Sequence, residues 1–248
     1  MNICRWFPSQ TLEWLRQNEN CSYYFEENDD FITKKEENTG FKSHSNNGIN
    51  AISLKRPVKK IHLHPHSKGY CVEFSGSLFK IKGVDLALDR LSYTFLVITF
   101  KMDKEPASEQ FILSDKVLNR GLSIDSKTIN IYGATENPLK LAYTPKRWIT
   151  IGIQWTMISP NYLGHFYLSD EDKEGFKHGT FVTTHQPLKE EPDDLYIGGL
   201  STGKGDSWVA CLAALDIHEV RLSSETEYPS KLRKLILDDH KWRVSGIQ

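Results

Sequence analysis

From residue 70 to residue 222 the chain repeats short apolar segments, each closed by turn residues, at a spacing of about ten residues. This beat constrains the fold more than any other feature. A period of two sends successive side chains to opposite faces of a strand. The segments YCVEFSG (70–76), SLFKIKG (77–83), QFILSD (110–115), GLSID (121–125), TINIYG (128–133), GHFYLSD (164–170), HGTFVTTH (178–185) and DLYIGGL (194–200) all read this way. YTFLVITFKM (93–102) is apolar on both faces, which predicts a central strand. WITIGIQWT alternates Ile149, Ile151 and Ile153 against Thr150, Gly152 and Gln154. No helical period separates these segments, which disfavours a parallel α/β sheet. The expected fold class is all-β, an antiparallel two-sheet sandwich of the jelly-roll type.

The ends read differently. Residues 1–20 predict a short helix opened by Pro8 and Ser9, with Leu12, Trp14 and Leu15 on one side. Residues 26–50 are polar and read as loop, and the basic stretch 54–66 follows. At the other end Pro229 and Ser230 precede KLRKLILDDHKWR, where Leu232, Leu235 and Ile236 predict a terminal helix with one apolar face. The expected division is an N-terminal helix and polar extension over 1–60, then a sandwich with a C-terminal helix over 61–248. Whether the extension adds a strand or a clasp stays open at this point.

Bulk composition excludes some functions. The formal net charge is −1, so no global field holds nucleic acid or an anionic membrane. No run of eighteen apolar residues predicts a membrane span, and the first twenty residues lack a secretory pattern. The chain is therefore expected in the cytoplasm or nucleus. The four cysteines are scattered without CxxC spacing, so reduced thiols are expected. Cys71 and Cys211 lie in apolar strands and read as buried core residues. A bridge between them stays open.

The pieces LYIGGLSTGKGDSWVACLAALDIHEVRL, VEFSGSLFKI, YTFLVITFKM, WITIGIQW and GHFYLSD together resemble a laminin G-like domain of the concanavalin A-like superfamily. The terminal KLRKLILDDHKW resembles the trailing helix of several members. The resemblance covers about 150 residues and implies two facing sheets, one concave, that bind sugars, peptides or proteins on that face or on rim loops. There are departures. No cysteine follows Cys211, so a late bridge seen in secreted members has no counterpart, and no calcium site falls on matching positions.

Chemistry-bearing motifs are weak. Gly198 to Gly205 nearly spells a phosphate-cradling loop, but Gly205 stands where a hydroxyl residue would hold magnesium, and a strand follows instead of a helix. His62, His64 and His66 have zinc-like spacing, but Pro65 interrupts them and no carboxylate or cysteine is close. The run Lys55 to Lys60 reads as a solvated loop or an import signal. No Glu-x-Asp-x-x-Glu strand pattern for glycoside hydrolysis and no G-x-S-x-G occurs. The acidic clusters at 26–30 and 170–174 lie in polar loops. No metal and no cofactor are expected.

Aromatic residues remain. Trp208, Tyr162, Tyr132, Trp155, His165 and Tyr167 lie at strand ends or on faces open to a ligand, and such side chains are favoured at interfaces and stack on sugars. Trp208 and Tyr162 are the preferred contacts because glycine- or proline-containing loops precede them. The reading is a non-enzymatic interaction module for a protein or glycan, working through the concave sheet or rim loops. A carbohydrate-active hydrolase of the same superfamily and a structural or assembly protein are the alternatives. An oligomer stays open.

Overall fold

A computed structural model describes residues 19–25, 28–45, 49–62, 70–84, 92–116, 120–134, 138–156, 163–170, 176–183, 194–202, 206–221 and 228–244. Among these the strands form two sheets. The first runs β15 (Lys177–Val182), β14 (Leu163–Asp170), β13 (Trp148–Thr156), β8 (Ser92–Lys101), β18 (Val209–Arg221), β6 (Tyr70–Ser75) and β5 (Lys59–His62), with β1 (Glu19–Tyr24) also on β18. The second runs β12 (Leu139–Ala142), β11 (Thr128–Tyr132), β10 (Gly121–Ile124), β9 (Gln110–Asp115), β16 (Leu195–Ile197), β7 (Leu78–Ile81), β4 (Ala51–Lys55), β3 (Glu37–Phe41) and β2 (Phe31–Lys34). Pairing is antiparallel except where the two-residue β17 (Asp206–Ser207) joins β9. One helix, α1 (Tyr228–Val244), closes the described chain. The all-β antiparallel sandwich is as expected, and so is the terminal helix. Residues 1–18 of the expected N-terminal helix lie outside the described residues, and its last two, Glu19 and Asn20, open β1 instead.

The core sits between the sheets because each inward face is a continuous apolar row. Leu96, Ile98 and Phe100 of β8 face Ile149, Ile151, Ile153 and Trp155 of β13 across the register, all buried. Burial of one such side chain contributes about 1.5–3 kcal/mol, so these rows dominate the fold. The expectation of two buried faces on β8 holds. Its other face, Phe95 and Val97, packs under Ile236 and Leu237 of α1.

The region 26–50 departs from its reading as loop. β2 and β3 lie in it, and Phe25, Phe31 and Phe41 pack into the main core against Phe74 and Phe79. The chain KKEE turns between β2 and β3 with Lys35 and Glu36 at positive φ, and Phe31 and Phe41 on either side of it point inward. The basic run also has structure. Lys55 ends β4 in one sheet, Lys59 opens β5 in the other, and Val58 bridges Asn38 between them. No helix among the described residues is long and apolar enough to cross a membrane.

Candidate functional site

The helix decides which surfaces of the first sheet are accessible. Gly152 on β13 stands beneath it, and a Cβ there would lie 2.7 Å from Leu237 Cδ2. Beyond Leu237 a buried polar chain fixes the helix. Ser22 Oγ donates to Asp216 Oδ1 at 2.5 Å, and His240 Nε2 lies 3.1 Å from Asp216 Oδ2. His240 Nδ1 meets Thr99 Oγ1 at 2.9 Å, and Thr99 Oγ1 meets Thr150 Oγ1 at 2.9 Å. Hydroxyl, imidazole and carboxylate thus stand in the order of a hydrolytic triad. Yet Thr99 and His240 are 0% exposed and Asp216 1%. A scissile carbonyl has no approach, so the chain acts as a latch between α1 and the sheet.

The outer face of the second sheet carries a polar row. Glu109 Oε1 accepts from Ser123 Oγ, from Asn130 Nδ2 at 3.1 Å and from Tyr132 OH at 2.8 Å. Asp125 Oδ2 accepts from Thr128 Oγ1 at 2.9 Å and approaches Asn130 Nδ2 at 3.4 Å. Phe111 tilts against Tyr132, with ring centroids 6.0 Å apart. Burial and the Glu109 carboxylate push the Tyr132 hydroxyl up to about 12, so it stays a donor. Partial burial raises the Asp125 carboxyl, but the N–H groups of Lys127 and Thr128 outweigh it and hold it below the usual carboxylate range. Two carboxylates therefore flank Asn130, which is only 2% exposed. Glu109 Oε1 is taken by three donors and Asp125 is held ionised, so neither is arranged as a proton donor to a glycosidic oxygen.

A third constellation lies on the free wing of the first sheet. On its inner face Phe181 covers Gly164 and Phe166 covers Gly179, in cross-strand pairs where any Cβ on the glycine would overlap the ring. This packing settles the alternation and turns His165, Tyr167 and His178 outward. His178 stacks on Tyr167, with centroids 4.7 Å apart and planes 15° apart. His165 lies 10° from the plane of His178, with Nδ1 and Nε2 of the two rings 3.2 Å apart. Arg233 of α1 sits 5.8 Å from the Tyr167 ring centroid and donates to Gln154 Oε1. Beyond it Lys241 lies 5.7 Å from the Phe176 centroid. Burial, then Arg233 and His178, depress the His165 imidazole below its usual range. It is therefore neutral at neutral pH. The result is a row of near-parallel rings walled by the helix.

The sequence-predicted residues divide accordingly. Trp208 and Trp155 are corrected: both are 0% exposed. Trp208 packs on Phe74 and Phe100 and its indole N–H meets Met102 Sδ at 3.2 Å. Its position shares the inward parity of Ala210 and Leu212, and the glycine-rich loop before it does not turn it out. Trp155 continues the isoleucine row, and its N–H donates to the Tyr132 carbonyl at 3.0 Å. Tyr132 belongs to the polar row and His165 to the ring platform. Tyr162, His64 and His66 lie outside the described residues, as does the side chain of His62. Tyr167, named with His165 as a candidate surface aromatic, also belongs to the platform; sequence reasoning missed His178 and Arg233, and the alternation of GHFYLSD against KHGTFV carried the signal for His178. Cys71 and Cys211 are free, buried thiols beneath Val244 and Trp148, as expected of core residues. The hydrogen bond with Cys211, then burial, raises the Cys71 thiol far above its usual range, which keeps it protonated. Among the described residues no three histidine, cysteine or acidic side chains group to hold a metal ion.

No family model matches the chain, and no curated protein does. Solved structures do. A mutant of Trypanosoma rangeli sialidase displaying trans-sialidase activity matches with a TM-score of 0.57 at 12% identity, over 91% of this chain and 34% of that one. The botulinum neurotoxin serotype D binding domain matches at 0.53 and 12%, over 92% and 52%. Domain 4 of a GH43 extracellular arabinanase from Geobacillus stearothermophilus, in complex with arabinotriose, matches at 0.51 and 11%, over 88% and 98%. The chain thus spans about a third of the sialidase it resembles. At such identities the likeness is one of fold, and the fold is an all-β sandwich.

Proposed function

We propose that the chain is a non-catalytic binding module that recognises a glycan through the ring platform of Tyr167, His178 and His165. The observation that carries the reading is the platform itself: flat rings held nearly parallel at the surface, with imidazole nitrogens and Arg233 beside them. Apolar sugar faces pack on such rings while hydroxyls meet the polar atoms at their rim. The middle of the first sheet is roofed by α1, so the ligand site moves from the sheet centre to its β14–β15 wing. Two features support the non-enzymatic part: the Thr99–His240–Asp216 group is sealed, and Glu109 and Asp125 are both committed as acceptors. The fold neighbours support the glycan part, since one of them is a domain solved with arabinotriose. The same reading places the chain among laminin G-like and concanavalin A-like jelly rolls, on its strand pattern and trailing helix.

The test is a glycan array probed with the full chain, followed by titration of hits against Tyr167→Ala. Selective retention that weakens about tenfold or more in the variant is expected. An array with no hits, or hits indifferent to Tyr167, rules the reading out.

A further inference from the structure

Resting on that reading, we infer that the platform selects acidic glycans, with a carboxylate or sulfate of the ligand on the Arg233 guanidinium and a sugar face on Tyr167 and His178. Arg233 and Lys241 are eight residues apart, so they stand on one stripe of the helix, about 12 Å from each other along its axis. Leu237, midway between them, seats that stripe against Gly152 and Phe95. Both cations therefore border the ring row: Arg233 at Tyr167 and Lys241 at Phe176. The helix thus sets two cations beside the stacked rings.

The guanidinium suits an anion in detail. It presents five N–H donors in a planar fork. Nη1 donates to Gln154, which is 6% exposed, and Nε is buried, so the donors left to face a ligand are on the remaining edge of the fork. Gln154 and the Tyr167 ring hold the group in place, so ordering it on binding costs little. The His165 and His178 ring nitrogens stand where they can meet hydroxyls next to the acid group. A neutral sugar meets the ring row alone. An acidic one meets the rings and the cations beside them.

Calorimetric titration of the full chain with matched ligands tests this: sialyllactose against lactose for a carboxylate, and a heparin-derived tetrasaccharide against its desulfated form for a sulfate. The acidic member of at least one pair binds about tenfold or more tightly at low salt. Its advantage shrinks as salt rises and is lost in Arg233→Gln, which binds the acidic and the neutral member with equal affinity. Arg233→Lys guards against an undocked helix, since it keeps the charge and retains part of the preference. In the wild type, amide shifts induced by the acidic ligand map to β14, β15 and α1. Equal affinity within both pairs, abolished by Tyr167→Ala, overturns the acid selectivity and leaves glycan binding standing. Binding of neither pair, or shifts confined to another face, overturns the selectivity as well, and an array without hits sinks the broader reading separately.

Discussion

Asp216 shows how much a single buried charge can hold. Its two oxygens serve Ser22 from the N-terminal strand and His240 from the C-terminal helix, and His218 stands 4.0 Å away. Three distant parts of the chain thus meet at one carboxylate. Removing one member of a buried charged group leaves the others desolvated, which costs about 3–5 kcal/mol. Asp216→Ala is expected to lower the unfolding free energy from a urea melt by that amount, and a loss under about 1 kcal/mol in the same melt contradicts the latch. The placement was not readable from sequence. A bulge between Leu212 and Ala214 shifts the register against β8. Simple alternation would put Asp216 on the inward face with Ala210 and Leu212. The bulge reverses the parity, sending Leu215 and Ile217 inward and Asp216 outward under the helix.

At the scale of elements, α1 and β13 are matched by one missing side chain. The helix has only a narrow apolar stripe, and its docking depends on the close approach at Gly152. Gly152→Val inserts a branched side chain where Leu237 and Phe95 already stand, and overpacking of this kind costs about 1–3 kcal/mol. The expected outcome is faster amide exchange across 233–244 with the sandwich strands still protected; unchanged exchange there speaks against the approach being tight. Sequence alone placed the helix and the isoleucine face of β13 correctly. It left Gly152 as one more residue of the alternate face, because its role exists only once the helix is laid across it. The same holds for the ring platform. His165 was legible as an outward aromatic position, whereas its partners His178 and Arg233 come from a neighbouring strand and from a helix some sixty residues on.

Taken whole, the molecule is closed by its first strands. Phe41 of β3 stacks on Phe79 at 4.4 Å and also meets Phe25, Phe31, Phe74 and Tyr23, so the stretch expected as an extension fills one end of the shared core. A buried phenylalanine cut to alanine costs about 3–5 kcal/mol. Phe41→Ala is expected to shift one cooperative transition seen alike by far-UV dichroism and tryptophan fluorescence. Two separated transitions, with only the first moved, count against a common core.

The sequence by itself determined the class of fold and most of the strands from residue 70 on, since a two-residue beat of apolar side chains has one stable outcome: two sheets burying their faces on each other. It also determined the terminal helix. Only the tertiary structure decided that residues 31–62 belong to the sheets, because strands that short and polar are stable only when paired. It alone decided that Trp155 and Trp208 are core and that α1 covers the sheet centre, leaving a ring-lined wing. Burial and adjacency across long sequence gaps are properties of packing, and local pattern carries no record of which distant element comes to lie on top.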